Sequence, residues 1–318
     1  MAAACSTVTL PSGDLMPMVG LGTFDNLKDD KVSEAVRVAI DEGYRCIDTA
    51  YIYRSEGAVG AAIADKIKKG VVTRKDLFVT TKLWNTFHEP DRVEMGMRES
   101  LAELKMDYVD LLLMHWPMAF KELQADRKAW ILNQQTQPAE VDYLDTWKAM
   151  EGLVEKGLAR NIGVSNFNID QLQRLLHTPP KIKPANMQLE SHPLFHNQEL
   201  VDFCRSHGMT VTAFSPLAKG GATYAGKQME NILEDSRVTE IAAKHKRTPA
   251  QVVLRMSLQR GICVVPKSCT ASRIKENFQI FDFTLSEEEM SSLSSMNKNK
   301  RLVTLEVFKD FPEYPFKL

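Results

Sequence analysis

The sequence has few cysteines, and they do not form a recognisable framework. Five occur in 318 residues, and no two of them make a Cys-x-x-Cys pair. Disulfide scaffolds and cysteine-based metal motifs use even or closely spaced sets of cysteines. We therefore expect thiols in a reducing compartment, and the absence of any Asn-x-Ser/Thr sequon agrees with a cytoplasmic protein.

Excess charge of one sign and long apolar runs are also missing. The 40 Lys and Arg residues balance 41 Asp and Glu residues, which leaves a net charge of -1. Because nucleic-acid binding needs concentrated positive charge, we expect no nucleic-acid partner. The longest apolar runs, such as residues 108–117, are too short and interrupted to span a bilayer, so we expect no membrane partner. The N-terminus has no signal-peptide pattern. For the oligomeric state, a monomer is the default expectation.

Glycine is absent from a position where a dinucleotide-binding sheet would require it. The stretch Gly20-Leu-Gly22-Thr-Phe-Asp25 ends the first predicted strand of the main fold without a third glycine. The fingerprint of an open, doubly wound sheet is therefore not met. No linker rich in Gly, Ser or Pro divides the chain, and we interpret residues 1–318 as one domain.

The sequence does contain a strand-then-helix pattern that repeats eight times. The predicted strands are residues 18–22, 46–48, 77–82, 109–115, 161–165, 185–189, 210–214 and 262–266. Eight buried parallel strands, each followed by helix, predict an α/β fold, the (β/α)8 TIM barrel. A β-hairpin of residues 7–10 and 15–18 precedes it. The stretches that depart from the repeat are residues 118–141, 217–233 and 283–318, which we interpret as large loops and a tail at the C-terminal face.

Polar or ionisable side chains close nearly every predicted strand at its carboxyl end, where barrel enzymes hold their active sites. In chain order they are Gly22-Thr23, Asp48, Lys82, His115, Ser165-Asn166, Gln188, Phe214-Ser215 and Lys267-Ser268. Each of them alone has an ordinary structural explanation, such as a helix N-cap or a solvated strand end. As a set they favour an active site.

Four of the candidates suggest a group that protonates an oxygen atom. Free tyrosine has a pKa of ~10, and a nearby ammonium lowers it, so Lys82 would make Tyr53 a better proton donor. Asp48 would keep Lys82 charged, and His115 would orient a carbonyl oxygen. The group has no activated Ser or Cys nucleophile and no metal-ligand spacing. We therefore expect no metal, and a hydride donor is the natural reaction partner.

The sequence resembles the aldo-keto reductase superfamily, close to aldose and aldehyde reductases, nearly from end to end. The matching motifs are Gly43-Tyr-Arg-x-Ile-Asp48-Thr-Ala-x-x-Tyr53-x-x-Glu56, Thr81-Lys82-Leu-Trp84, Asp110-Leu-x-x-x-His115-Trp-Pro117, Gly163-Val-Ser-Asn-Phe167, Phe214-Ser-Pro-Leu217, Pro266-Lys-Ser268, Arg273-Ile-x-Glu-Asn277 and Tyr314-Pro-Phe316. The resemblance implies a barrel that binds NADPH or NADP+ without a Rossmann fold and reduces small carbonyl compounds. It also implies a catalytic tetrad of Tyr53, Asp48, Lys82 and His115, with Tyr53 as the proton donor.

The resemblance further implies which residues bind the cofactor. The nicotinamide would be held by Ser165, Asn166, Gln188 and the stacked ring of Phe214. The pyrophosphate would contact Ser215 and Leu217. The 2′-phosphate and the adenine would contact Lys267, Ser268, Arg273, Glu276 and Asn277. A site for the 2′-phosphate favours NADPH over NADH. The remaining implied cofactor contacts are Gly22, Thr23, Phe24, Asp48, Cys269 and Thr270.

The implied substrate pocket is mostly apolar, which suits hydrophobic carbonyls better than open-chain sugars. Its expected residues are Phe24, Trp84, His115, Trp116, Val303 and Leu305. Ser55 stands where the family usually has Asn, so we expect a lost loop hydrogen bond there and intact chemistry. The substrate itself stays open among sugar aldehydes, lipid aldehydes and steroid or ecdysteroid-like ketones.

Two non-catalytic alternatives remain beside the enzyme. Some relatives of this fold bind NADPH as regulatory subunits of ion channels, and such a protein could keep the cofactor site while losing turnover. A barrel can also be retained as a bulk structural protein. The complete tetrad argues against the regulatory subunit, and a cofactor-binding measurement would exclude the structural protein.

Overall fold

A computed structural model describes residues 6–24, 29–121, 136–178, 180–218, 223–224, 227–228 and 230–316. The chain opens with an antiparallel hairpin of β1 (Thr7–Thr9) and β2 (Leu15–Pro17). Leu10 and Met16 of this hairpin pack into the end of the main sheet, and Asn161 Nδ2 donates to Asp14 Oδ2 at 2.8 Å. The hairpin therefore covers the amino-terminal end of that sheet.

Within the described residues, eight parallel strands form one sheet whose spatial order follows the order of the chain. In chain order they are β3 (Leu21–Gly22), β4 (Cys46–Asp48), β5 (Phe78–Leu83), β6 (Val109–Met114), β7 (Ala159–Ser165), β8 (Asn186–Glu190), β9 (Thr210–Phe214) and, after a small hairpin of β10 (Thr223–Tyr224) and β11 (Lys227–Gln228), β12 (Cys263–Val264). Most of their residues are buried, because helices cover the outside and side chains fill the inside.

The sheet closes into a barrel because its first and last strands bond to each other. Gly20 N donates to Val264 O at 2.9 Å, and Gly22 N donates to Pro266 O at 3.1 Å. Glycine is needed at position 22, since an added Cβ would lie 2.6 Å from the Val265 carbonyl oxygen. The predicted (β/α)8 barrel and its N-terminal hairpin are confirmed.

The helices of the described residues surround the barrel. They are α1 (Asp29–Asp41), α2 (Glu56–Lys68), α3 (Pro90–Leu104), α4 (Tyr143–Glu155), α5 (Ile169–His177), α6 (Gln198–Ser206), α7 (Ser236–His245), α8 (Pro249–Gln259), α9 (Ala271–Phe278) and α10 (Glu287–Ser294). Gly43, with φ of +103°, ends the first of them.

The tail beyond residue 283 contains α10, which the interpretation of the sequence did not identify. A capping box starts this helix: Ser286 Oγ accepts from Glu289 N, and the Glu289 carboxylate accepts from Ser286 N. The Ser-x-x-Glu signal was present in the sequence. Of the two long loops, residues 122–135 and most of 219–229 lie outside the described residues.

The described cysteines behave as expected. None of Cys46, Cys204, Cys263 and Cys269 forms a disulfide, and the first three are buried. Burial raises the pKa of the Cys204 thiol to about 12. Among the described residues, the structure has no helix with the length and apolar character needed to cross a membrane.

Candidate active site

The inward-facing side chains of each strand lie at successive levels along the barrel axis. Residues two apart on a strand share a face, so Asp48 lies one layer above Cys46. The interior toward the hairpin is apolar, where Cys46, Phe78, Leu111 and Leu113 form one cluster with Leu10 and Met16. The upper layer brings together Asp48 of β4, Lys82 of β5 and Gln188 of β8, and these polar groups meet at the carboxyl ends of the strands.

A buried ion pair lies at the centre of this upper layer. Lys82 Nζ donates to Asp48 Oδ1 at 2.6 Å and to the Thr49 carbonyl oxygen at 2.9 Å. Gln188 Nε2 donates to the other oxygen, Asp48 Oδ2, at 2.7 Å. Burial alone would lower the pKa of Lys82, but the Asp48 charge and the neighbouring Tyr53 outweigh it and the pKa is raised. The ammonium is therefore charged at neutral pH.

Tyr53 closes the 3-10 turn Tyr51–Tyr53 that follows β4, and this turn brings its ring to the ion pair. Lys82 Nζ lies 4.8 Å from the centroid of the Tyr53 ring. Burial of the hydroxyl raises its pKa, the Lys82 charge lowers it, and the net pKa is above the ordinary value. Lys82 acts in the expected direction, but burial outweighs it, so Tyr53 keeps its proton at neutral pH.

His115 extends β6 and faces the tyrosine. Its backbone N donates to Leu83 O at 3.1 Å, and its ring centroid lies 5.6 Å from that of Tyr53 and 5.4 Å from that of Trp84. Burial, followed by the charges of Lys82 and His88, holds the pKa of His115 well below its usual range. A neutral imidazole carries one N–H donor, which is what orienting a carbonyl oxygen requires.

His88 is a second buried histidine behind this group. Neither of its ring nitrogens has a hydrogen-bond partner among the described residues. Burial lowers its pKa to about 3, whereas an unfolded chain has a histidine pKa of ~6.5. Between these values the unfolded state binds a proton that the folded state does not. Stability should therefore fall as the pH falls below ~6.5, by up to ~1.4 kcal/mol per pH unit.

The variant His88→Leu is expected to unfold at a lower pH than the wild type, because it removes this buried, unpaired imidazole. Circular dichroism during acid titration measures the midpoint. The matched control is His207→Leu, since His207 is exposed and should leave the midpoint unchanged. Equal midpoints for His88→Leu and the wild type would show that His88 does not set the acid sensitivity.

Buried amide groups beside the tetrad residues fit the carboxamide of a nicotinamide. Asn166, at φ of +62°, donates from Nδ2 to His115 O at 3.0 Å and to Ser165 Oγ at 3.1 Å. Its Oδ1 is buried and accepts no hydrogen bond in the described part of the chain. A carboxamide NH2 would supply the missing donor, and Gln188 is close by because Asn166 N donates to Gln188 O.

The ends of β9 and β12 offer groups that fit the rest of a dinucleotide. Phe214 is half-buried at the end of β9, and Ser215 and Leu217 follow it in the turn. Beyond β12, Lys267 is exposed, Ser268 is buried, and Thr270 N donates to Ser268 Oγ at 3.1 Å.

Helix α9 completes this region. Arg273 is exposed there, Glu276 is half-buried and Asn277 is buried. Two cations and a hydroxyl beside a helix N-terminus make a donor set that fits a phosphate. Cys269 is half-buried and Thr270 is exposed at the same helix start.

The loop after β3 borders the tetrad residues. Thr23 Oγ1 donates to Asp48 O at 3.0 Å, next to Gly22. Phe24 is 41% exposed, and its ring centroid lies 5.0 Å from that of Tyr53. Phe24 therefore offers an apolar face beside the tyrosine.

Tryptophans and the tail form the apolar side of the site. Trp84 packs edge-on against His115 and against Phe120, with a centroid distance of 5.9 Å to the latter. Trp116 contacts Phe316 of the tail at 5.8 Å. Val303 and Leu305 are partly buried against the same core as the two tryptophans. Both tryptophans are almost fully buried. Phe24 and the tail therefore expose more apolar surface than the two tryptophans do, which the sequence did not lead us to expect.

The interpretation of the sequence missed Thr49 and Glu190 here, and it did not foresee the contacts of Ser55. Thr49 was not singled out, although its carbonyl accepts from Lys82. Ser55, where we expect a loop hydrogen bond fewer than Asn would make, has its Oγ 3.3 Å from both Thr23 Oγ1 and Thr49 Oγ1. Glu190 is fully buried at the end of β8. Its signal was an acid two residues after Gln188 on a buried strand.

Comparison with known proteins agrees with this geometry. A sequence model described as the Aldo/keto reductase family matches residues 18–298. The chicken (Gallus gallus) protein named aldo-keto reductase family 1 member A1 is 44% identical over 305 residues, covering 95% of this chain and 92% of that protein. The crystal structure of a Bombyx mori aldo-keto reductase in complex with NADP matches with a TM-score of 0.91 and 38% identity, covering 99% of this chain and 100% of that one.

A second solved structure, the aldose reductase from Schistosoma japonicum, matches with a TM-score of 0.90 and 43% identity. It covers 98% of this chain and 99% of that chain. The family model and the full-length relatives agree, and the chain belongs to the aldo/keto reductase family.

Proposed function

We propose that the protein reduces aldehydes or ketones to alcohols with NADPH, and that Tyr53 is the proton donor. Membership of the aldo/keto reductase family makes it an NADP-dependent oxidoreductase, and a Bombyx mori relative has been solved with NADP. The observation that carries the proposed mechanism is the buried Lys82–Asp48 pair, at 2.6 Å, beside Tyr53 and His115.

Each residue of this group has a distinct role in the proposal. Neutral His115 donates a hydrogen bond to the substrate oxygen and sets its direction. Tyr53 gives its proton to that oxygen as negative charge develops there. Lys82 stabilises the resulting phenolate by its charge, and Asp48 holds Lys82 in place. NADPH, when bound, supplies the hydride.

The residues around the site support the cofactor and substrate parts of the proposal. Ser165, Asn166 and Gln188 would hold the nicotinamide, and Lys267 with Arg273 would bind the 2′-phosphate. The substrate would lie against Phe24 and the tail residues Val303 and Leu305. Apolar groups dominate these walls, so hydrophobic carbonyls are the proposed substrate class.

The direct test follows NADPH oxidation by absorbance with aromatic, aliphatic, sugar and steroid carbonyls, and with NADH in parallel. We expect turnover with NADPH, and higher kcat/KM for apolar carbonyls than for open-chain sugars. Tight NADPH binding without turnover on any carbonyl would contradict the proposal and favour the non-catalytic regulatory alternative.

The variant Arg273→Ala is expected to weaken NADPH binding by roughly 10–100-fold, because a hydrogen bond to a charged group contributes about 1.5–3 kcal/mol. NADH, which lacks the 2′-phosphate, should bind almost unchanged. Quenching of tryptophan fluorescence measures both dissociation constants.

The matched control for this variant is Lys275→Ala. Lys275 lies on the same helix, but its Nζ pairs with Glu42 at 3.4 Å. The control should leave both constants unchanged. Equal losses for NADPH and NADH in Arg273→Ala would place the 2′-phosphate elsewhere.

A further inference from the structure

Glu190, the last residue of β8, has a fully buried carboxylate that binds the C-terminal tail. Its Oε1 accepts the backbone N–H of Leu302 at 2.6 Å, and its Oε2 accepts that of Val303 at 2.8 Å. His192 Nε2 lies 2.8 Å from Oε1. Both carboxylate oxygens are thus used, and each of them binds the tail.

These two amides lie where the tail passes between two apolar clusters. The Leu302 side chain is buried with Leu194 and Ile232 in a cluster outside the barrel. The next side chain, Val303, packs against the core that contains Trp84 and Trp116. Fixing the two N–H groups therefore fixes which side chain enters which cluster.

Further contacts of the tail residues near Leu302 and Val303 also hold this segment in place. The Arg301 guanidinium stacks on Phe316 at 3.7 Å and on Phe195 at 4.5 Å. Tyr314 donates its hydroxyl hydrogen to Thr304 O at 2.7 Å. The segment is folded on itself around the amides that Glu190 binds.

The same strand also carries a residue of the proposed catalytic group. Gln188 lies two residues before Glu190, so both side chains are on one face of β8. Gln188 Nε2 binds Asp48, and Glu190 binds the tail. One short strand thus sets the position of the tail relative to the ion pair.

We propose that Glu190 is a positioning and specificity-determining residue, which holds Leu302 and Val303 so that the tail forms one wall of the carbonyl site. This inference rests on the proposed reductase function. It assigns selectivity for bulky carbonyls to a residue whose side chain is buried beneath the tail that it binds.

The variant Glu190→Gln tests it, because the new amide NH2 faces one of the two N–H donors and cannot accept its hydrogen. The tail should loosen, and KM for a bulky apolar ketone should rise by roughly 10–100-fold, the equivalent of losing one hydrogen bond to a charged group. KM for a small aldehyde, which needs no tail contact, and the dissociation constant for NADPH should change less than about threefold.

The matched control is Glu151→Gln. Glu151 of α4 is also a buried carboxylate that accepts a backbone N–H, from Ile182 at 2.9 Å, but Ile182 precedes β8 and does not belong to the tail. This variant keeps an amide oxygen for its single N–H donor, so it should keep the tail in place and the wild-type ratio of the two KM values. If Glu190→Gln does not fold, Glu190→Asp, which retains the buried charge but is too short to reach both amides, takes its place.

Limited proteolysis separates this inference from the proposed function. Cleavage within residues 298–316 should be faster in Glu190→Gln than in the wild type or in Glu151→Gln, whether or not any carbonyl is turned over. No turnover by the wild type would reject the reductase function alone. A folded Glu190 variant with the wild-type KM ratio and cleavage rate would overturn the role of Glu190.

Discussion

The variant Tyr53→Phe is expected to lower kcat by at least on the order of 10²–10⁴-fold, the usual contribution of a general acid. Phe keeps the ring beside Lys82 and Phe24 but has no proton to give. NADPH binding should be unchanged, because the hydroxyl is not needed to hold the cofactor. Stopped-flow measurement of hydride transfer and fluorescence titration of NADPH test the two halves of this expectation.

Tyr51→Phe is the matched control for the lost hydroxyl. Tyr51 lies in the same 3-10 turn, but its hydroxyl donates to Glu99 Oε2 at 2.9 Å, on the side of α3. This variant should keep most of its activity. If Tyr53→Phe also kept more than about a tenth of the wild-type kcat, another group would be the acid.

The variant Lys82→Met is expected to lose both activity and stability. It leaves the buried Asp48 carboxylate with Gln188 but without its cation, and breaking a buried pair costs about 3–5 kcal/mol. It also removes the charge that lowers the pKa of Tyr53, so the pKa of the hydroxyl rises further. We expect a fall in kcat of at least about 10²-fold, together with a lower urea midpoint.

A second paired lysine separates the two effects. Lys66 is also buried, but its Nζ pairs at 2.5 Å with Asp41, whose side chain is half exposed, on the outer helices. Lys66→Met should cost less stability, about 1 kcal/mol, because water can solvate the remaining carboxylate. It should leave kcat unchanged. Equal kcat values for Lys82→Met and Lys66→Met would exclude Lys82 from the chemistry.

Many features of the fold were predictable from local patterns in the chain. Eight apolar strands, each followed by helix, have few other ways to bury both faces of a parallel sheet. Because the strands are parallel, the polar residues at their carboxyl ends then had to lie together at one end of the barrel. Asp48 and Lys82 could be chosen as partners for this reason, before any distance between them was known.

Other features depended on contacts between residues far apart in the chain. Gln188 Nε2 binds Asp48 across 140 residues, and Leu302 N binds Glu190 across 112 residues. Periodicity cannot reveal such contacts, because they depend on how the finished barrel and its tail pack together. The contact of Glu190 with the tail could not be predicted for this reason, since an acid on a buried strand has many explanations.

The electrostatic balance at the site was also set by tertiary packing. The sequence alone predicted that Lys82 would lie near Tyr53 and would lower its pKa. How deeply the hydroxyl is buried depends on Phe24 and His115, which come from two separate strand ends. Sequence patterns determined which strands form the barrel and which ionisable groups face its mouth. The tertiary structure decided their protonation and the position of the tail, because desolvation and long-range hydrogen bonds exist only once the barrel has closed.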